Sequence, residues 1–253
     1  MLINKRLDQL LVDKGLAPSR TKAQELIKLG AVEVYSGDSW TKVLKASTLI
    51  GEQPVRLAQN EVLKFVSRAG LKLEHALLNF KIEVKGLRAL DIGQSTGGFT
   101  DCLLQHGIKE VVGIEVGHGQ LVDKLKTNSK IKYFERLHIK DAPLDERLDC
   151  FKGQMDFACI DVSFIGLTQV LPHVGVFLKS GAQVVALVKP QFELSKKDLD
   201  KKGVVKNHGQ YEGLRVKIMG LFGELNYTVI DYTQSPISGG DGNQEFLIYA
   251  KKN

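Results

Sequence analysis

Cysteine is scarce: Cys102, Cys150 and Cys159 are the only three in 253 residues. The odd number argues against a disulfide framework, and their spacing shows no metal-like pairing, so no metal is expected. Cys102 and Cys159 sit among apolar neighbours and read as buried thiols of a reducing compartment. The N-terminus has no apolar segment of the signal-peptide kind, and no run reaches the roughly 18 apolar residues of a membrane span. The expectation is a cytoplasmic protein with no membrane insertion. No internal repeat or low-complexity run stands out.

What is present is ordinary in bulk and specific in detail. Hydrophobic residues make up 43% and charged residues 25%, a soluble globular balance, and a net charge of +6 leans toward an anionic partner. The most informative stretch runs from Ala89 to Asp101. An apolar run, Leu87 to Ile92, carries Asp91 and ends at Gly93. Gln94-Ser95-Thr96 then lead to Gly97-Gly98 and Phe99, where a helix pattern starts. Glycines there allow backbone N–H groups to approach a ligand, and a helix N-terminus favours an anionic group. The spacing G-x-x-x-G-G is neither the G-x-G-x-x-G of a nicotinamide site nor a P-loop. The remaining common use of such a turn is S-adenosylmethionine. Glu115 closes the next strand, 22 residues after Gly93, where a carboxylate can accept from both hydroxyls of a ribose. The expected cofactor contacts are Asp91, Gly93, Gln94, Ser95, Thr96, Gly97, Gly98, Phe99, Glu115, Val116 and Asp161.

Residues 1–60 form a unit of their own. Leu7, Leu10 and Leu11 mark a short amphipathic helix, and Ala23, Leu26 and Ile27 mark a second, closed by Gly30. A short strand spans Ala31 to Tyr35. Nine Lys/Arg stand against six Asp/Glu here, a local charge of +3. Arg20 and Lys28 share the face opposite the apolar stripe, with Lys5, Arg6 and Lys22 near in sequence; a solvated helix face would look the same. The pattern Arg6-Leu7-Asp8, Ser19-Arg20-x-x-Ala23 and Gly30-Ala31-Val32-x-Val34 resembles an S4 domain, which implies RNA binding. Where such modules usually read V-N-G-K, this chain has Val34-Tyr35-Ser36-Gly37-Asp38.

Beyond residue 60 strands and helices alternate. Strands are predicted at 87–93, 110–116, 131–136, 155–163, 182–190, 227–235 and 244–252, with helices near 98–106, 118–126, 166–178 and 208–224. That alternation implies a mostly parallel sheet covered on both faces. The Gly/Pro/Ser-rich link from Ser235 to Asn243 predicts that the seventh strand enters antiparallel, as a hairpin.

Four ionisable residues fall where strand ends or helix starts would bring them near the cofactor turn: Lys72, Asp161, Lys189 and Glu245. Alone, each has a structural explanation, as a helix-start carboxylate, a strand-end charge or an edge-strand gatekeeper. Together they suit methylation of a ribose 2′-hydroxyl, a poor nucleophile that needs positioning and a proton acceptor. A desolvated lysine crowded by another cation can serve, with carboxylates orienting it.

The order Lys, Asp, Lys, Glu on these elements resembles that of the RrmJ/FtsJ-like ribose methyltransferases. With the S4-like module included, the chain resembles the TlyA family, whose members carry the names haemolysin and ribosomal RNA cytidine 2′-O-methyltransferase. The matching pieces are Val66-Ser67-Arg68 with Lys72, Asp91 to Asp101, Val116-Gly117 with Gln120-Leu121, Asp161 to Phe164, Val188 to Glu193, Lys202 to Val205, and Ser235-Pro236 with Gly242-Asn243 and Glu245-Phe246. The resemblance implies an α/β fold: a Rossmann-like methyltransferase sheet with an antiparallel last strand over 61–253, preceded by a small α+β S4 domain over 1–60. It implies Lys189 as the base, with Lys72, Asp161 and Glu245 as partners. Ribosomal RNA or ribosomal subunits are the implied substrate, with Lys5, Arg6, Arg20, Lys22, Lys28 and Arg68 as RNA contacts.

Two departures stand out. Gln94 occupies a position where the family commonly has alanine, which predicts one extra polar contact in the cofactor loop. Glu135-Arg136-Leu137-His138 replaces E-R-T-N after the third strand, so the adenine side is open, with Asp141 as either a contact or a surface carboxylate. Competing readings are a base methyltransferase, an S4 RNA-binding protein with little turnover, a pseudouridine synthase and a haemolysin-like activity. Asp161-Val162-Ser163-Phe164 is not the N-P-P-Y-like turn of many amine N-methyltransferases. Cys159 lies inside a strand, a pseudouridine synthase would not need the cofactor loop, and no strongly amphipathic basic segment supports pore formation.

Overall fold

The structure, a computed structural model, describes residues 4–28, 30–58, 64–239 and 242–253, with only the backbone of Glu25. It divides into two compact units, 1–64 and 65–253. The boundary expected after residue 60 lies among residues 59–63, outside those described.

The first unit contains β1 (Lys5–Arg6), α1 (Leu7–Asp13), α2 (Arg20–Lys28), β2 (Val32–Tyr35), β3 (Trp40–Lys42), β4 (Leu49–Ile50) and β5 (Val55–Leu57). The strands pair as β1–β4 and β3–β2–β5, all antiparallel. Leu7 and Leu11 of α1 and Ala23, Leu26 and Ile27 of α2 meet Val32, Val34 and Ile50 in one core. Gly30, at φ +67°, supplies the left-handed residue that ends α2 and turns the chain into β2.

The second unit is built on seven strands in the order β11-β12-β10-β9-β6-β7-β8. Its elements are α3 (Ala69–Asn79), β6 (Arg88–Ile92), α4 (Gly98–Gln105), β7 (Glu110–Ile114), α5 (Asp123–Lys126), β8 (Ile131–Phe134), β9 (Met155–Ile160), α6 (Leu167–Val170), β10 (Leu178–Val188), α7 (Pro190–Glu193), α8 (Gln210–Glu224), β11 (Tyr227–Gln234) and β12 (Phe246–Lys252). β10, β9, β6, β7 and β8 run parallel, and β12 inserts antiparallel between β10 and β11. The expected antiparallel last strand is present. One sheet face is covered by α3 and α4 through Leu73, Leu77, Phe99 and Leu103. The other is covered by α6 and α8 through Leu167, Leu214, Ile218 and Phe222. The central strands are therefore apolar on both sides.

Two predicted helices are largely absent. Of 118–126 only Asp123–Lys126 is helical, because backbone N–H groups upstream bond to carboxylates. Gly117 donates to Glu115, while Gly119 and Gln120 donate to Glu135. Of 166–178 only Leu167–Val170 is α-helical; Pro172 and Gly175 then break the run into two 3-10 turns.

The chain leaves β6 toward β7 and β8 on one side and returns to β9 on the other. That reversal opens a crevice at the carboxyl end of the sheet. A buried network supports the turn after β6: Gln94 donates to the Thr100 hydroxyl (2.8 Å), which donates to Asp91 (2.6 Å). Burial pushes the Asp91 carboxyl up to about 7, offset in part by the Thr100 hydrogen bond. An unfolded aspartate loses its proton near 3.8, so between pH 3.8 and about 7 the folded form holds the proton more tightly. Stability is then expected to fall as pH rises through that window, with a slope of up to about 1.4 kcal/mol per pH unit. Asp91→Asn should flatten the slope in urea-unfolding series; an unchanged slope would assign it to other groups.

Candidate active site

The carboxyl ends of β6, β9 and β10 and the amino end of β12 stand side by side. Ile92 of β6 pairs with Ile160 of β9, Ala186 of β10 also pairs with Ile160, and Val188 of β10 pairs with Phe246 of β12. Gly93, Asp161 and Lys189, which follow the three parallel strands, and Glu245, which precedes β12, therefore share one edge. Lys189 Nζ lies 2.5 Å from Asp161 Oδ1 and donates to Ser163 Oγ at 3.1 Å. Lys72, on the first turn of α3, forms a buried ion pair with Glu245. The four predicted residues are thus arranged as two separate ion pairs, with each ammonium next to its own carboxylate.

α3 reaches this edge because the turn after β6 leaves room for it. A Cβ on Gly98 would stand 2.2 Å from Ser67 Oγ and 3.1 Å from Gly70 N. Asp101 of α4 accepts the Val66 N–H at 2.8 Å, pinning the segment that leads into α3. Arg68 directly precedes that helix and is half-buried.

A cleft of about 330 Å³ lies at the same edge, within the range of small-ligand sites. Its walls include Gly93 and Ser95, the segment Glu115–Gly117, Leu137–Ile139, and Asp161–Ile165. A smaller recess of about 130 Å³ shares Gly93, Ser95, Asp161 and Ser163 with it and adds Ser67, Thr96, Gly98, Phe99 and Lys189. The Lys189–Asp161 pair opens on these spaces, whereas Lys72 and Glu245 line neither.

Gly93 (φ +82°), Ser95 (φ +48°) and Gly97 (φ +94°) adopt the left-handed region, and their N–H groups bond to Ile114 O, to Glu115 and to Gln94 O. Glu115 accepts from Ser95 N at 2.8 Å and from Gly117 N at 2.7 Å, tying the two loops that face the cleft. A carboxylate has about four acceptor sites, so capacity remains for hydroxyl groups of a ligand. Apolar Ile92, Ile114, Leu137 and Ile139 give the same cleft a surface suited to a flat ring. The donor set fits a nucleoside with a polar tail.

Several expected cofactor contacts sit elsewhere. Asp91 is fully buried beneath the turn and lines no cleft. Gln94 lines the recess, while its side-chain amide turns inward to donate to Thr100. Gly97 serves packing: a Cβ there would stand 2.3 Å from Leu125 and 2.8 Å from Leu121. Val116 lines the cleft and is mostly exposed. Asp141 is an exposed residue outside the lining, while His138 lines the cleft. Sequence reasoning also passed over Gln120, which accepts from Ser95 Oγ at 3.0 Å, and Phe164, 92% exposed at the cleft rim. An aromatic residue directly after a strand-end Asp-Val-Ser was the available signal for Phe164.

In the first unit, Arg6 and Arg20 converge on Asp8. Arg6 donates through Nε and Nη2 at 3.0 Å each, Arg20 at 3.1 Å, and Gln24 at 2.8 Å. Asp8 is fully buried, and the Arg6 hydrogen bond, ahead of those from Gln24 and Arg20, holds its carboxyl well below the usual range. Both guanidinium groups stay about half exposed. Lys5 pairs with Asp13 at 2.7 Å, and Lys22 and Lys28 are exposed or half-buried on α2.

The sheet order, the cleft at its switch point and the charged edge define a methyltransferase-type α/β domain. Residues 65–252 match the FtsJ-like methyltransferase model and residues 5–34 match the S4 domain. The chain belongs to the FtsJ-like methyltransferase family, with an S4 domain before the catalytic one. It is 40% identical over 244 residues to YqxC of Bacillus subtilis, a candidate rRNA methyltransferase, covering 96% of this chain and 84% of that one. It is 34% identical over 246 residues to the 16S/23S rRNA (cytidine-2′-O)-methyltransferase TlyA of Mycobacterium tuberculosis, covering 97% and 89%. A solved structure of a candidate hemolysin from Streptococcus thermophilus superposes with TM-score 0.76 at 35% identity, over all of this chain and 90% of that one.

Glu245→Ala should strip the buried Lys72 ammonium of its counter-charge and destabilise the protein by about 3–5 kcal/mol. Chemical denaturation checks this; a change under 1 kcal/mol would mean that water replaces the carboxylate.

Proposed function

We propose that the protein transfers a methyl group from S-adenosylmethionine to a ribose 2′-hydroxyl of ribosomal RNA, of a cytidine, in the cytoplasm. The observation that carries this reading is the Lys189–Asp161 pair opening on the cleft at the sheet's switch point. The names of the relatives supply the nucleotide and the RNA. Among the described residues no helix is long and apolar enough to cross a membrane.

When bound, S-adenosylmethionine supplies an electrophilic methyl on a sulfonium. Glu115 would take the cofactor's ribose hydroxyls, and the backbone at Thr96, Gly98 and Phe99, which lines the recess, would hold its tail. In the ion pair Lys189 is an ammonium; to accept a proton it must first release one to solvent, which leaves two N–H groups and one lone pair. Asp161 and Ser163 are placed to take the two N–H groups, which leaves the lone pair for the 2′-hydroxyl. The Lys72–Glu245 pair fixes the neighbouring end of β12 and the start of α3 without reaching the cleft. Phe164 offers an exposed aromatic face on which a nucleobase can stack. The first unit delivers RNA through Arg6 and Arg20, which Asp8 holds in fixed, half-exposed poses.

Incubation with methyl-labelled S-adenosylmethionine and each ribosomal subunit, followed by mapping of the label to a nucleotide and to sugar or base, tests the proposal. Label on a base, or in no RNA, would overturn it. Lys189→Ala should lose about 10²–10⁴-fold in turnover. Lys189→Arg should not restore it, because a guanidinium keeps its proton. An arginine variant at near-native rate would make Lys189 a positioning charge. Arg20→Ala should weaken RNA binding and lower the salt slope by about one, with cofactor affinity unchanged in calorimetry. An unchanged slope would remove Arg20 from the interface.

A further inference from the structure

We infer that Glu193 is a positioning residue for methyl transfer: its carboxylate clasps the segment after β9, which carries Asp161, Ser163 and Phe164, to the segment after β10, which carries Lys189. The inference rests on the methyltransferase reading above.

The two segments run alongside each other with contacts at successive levels. Lys189 holds Asp161 and Ser163. Phe192 packs on Phe164, with ring centroids 5.6 Å apart. Glu193 Oε1 then accepts the backbone N–H of Leu167, the first residue of α6. Gly166, which precedes α6, has no side chain to cap it, and Glu193 takes that role from another segment. Space is tight at this contact. A Cβ on Gly166 would lie 2.8 Å from Glu193 Oε2 and 3.0 Å from the Phe192 carbonyl.

The clasp has something to restrain. Phe164 is a bulky residue at φ +66° and 92% exposed. Such a backbone state costs on the order of 1–3 kcal/mol and persists only where its surroundings over-determine it. The aromatic contact on Phe192 holds the side chain of that residue, and the carboxylate at Leu167 holds the backbone three residues further on. Burial pushes the Glu193 carboxyl up, and the N–H groups of Leu167 and Thr168 pull it part of the way back. An amide of the same shape keeps an oxygen to accept the Leu167 N–H and can stand in for it. Glu193 touches neither cleft nor recess, so it acts through Asp161 and Ser163 rather than on substrate.

The test uses the full-length protein with ribosomal subunits and labelled S-adenosylmethionine. Glu193→Ala should lower kcat by about 10- to 100-fold, the cost of misplacing reacting groups, with KM values near wild type. Glu193→Gln should restore most of the rate by keeping an acceptor for Leu167. Gly166→Ala should reproduce the alanine defect by displacing the carboxylate, and it decides the matter if Glu193→Ala does not fold. Independently of activity, hydrogen exchange in peptides spanning residues 161–170 should quicken in Glu193→Ala and in Gly166→Ala. Wild-type kcat in folded Gly166→Ala or Glu193→Ala, or equal losses in the alanine and glutamine variants, would overturn the inference. Unchanged exchange at 161–170 would overturn it as well. A wild-type protein that labels no RNA overturns the functional reading instead, and the exchange measurement still decides the clasp.

Discussion

The ion pair between Lys189 and Asp161 depends on the stagger of two neighbouring parallel strands. β9 ends at Ile160, opposite Ala186, and β10 runs two residues further to Val188, so the side chains of Asp161 and Lys189 meet across the step without any long loop. Charges this close to a sheet core are costly to desolvate, and only good geometry offsets the cost. Here Ser163 adds an acceptor for the ammonium. Because the pair is anchored on rigid strand ends, the loops that leave it start from fixed points. The cleft, the exposed Phe164 and the segment leading to α6 all take their positions from there.

Carboxylates organise those loops. Glu115 binds the N–H groups of Ser95 and Gly117, Glu135 those of Gly119 and Gln120, Asp101 that of Val66, and Glu193 that of Leu167. Loop N–H groups at the carboxyl end of a sheet have no ladder partner, and an ionised acceptor makes the stronger bond. A loop held in this way loses less entropy when a ligand arrives, which favours preorganised binding over closure on contact. Although the chain has an excess of basic residues, its acids determine the shape of the site.

The same logic recurs in the first unit with opposite exposure. Asp8 is buried, and its partners Arg6 and Arg20 remain half exposed. A guanidinium held by a carboxylate on one edge keeps donors on the other. Side-chain entropy spent in this way would not have to be spent again on an anionic ligand. In the proposed function, substrate capture and chemistry fall to separate units with separate cores.

Much of this was legible in the residues themselves. Alternating apolar runs of strand and helix length dictate a parallel sheet, the Gly/Pro/Ser-rich link dictates the antiparallel return of β12, and the spacing of Gly93, Gly97 and Gly98 with Glu115 marks the nucleoside cleft. These are local signals, set by backbone sterics and by side-chain periodicity. What only the tertiary structure decided is how distant groups pair. Lys72 belongs with Glu245, 173 positions away, and Lys189 with Asp161. The Gln94 side chain turns toward Thr100, Asp91 supports the turn from beneath, and Gly97 makes room for Leu121 and Leu125. Glu193 crosses to another segment. A residue's type and spacing determine what it can bond to; its partner depends on strand register and on the space its neighbours leave, and both are settled only when the sheet closes.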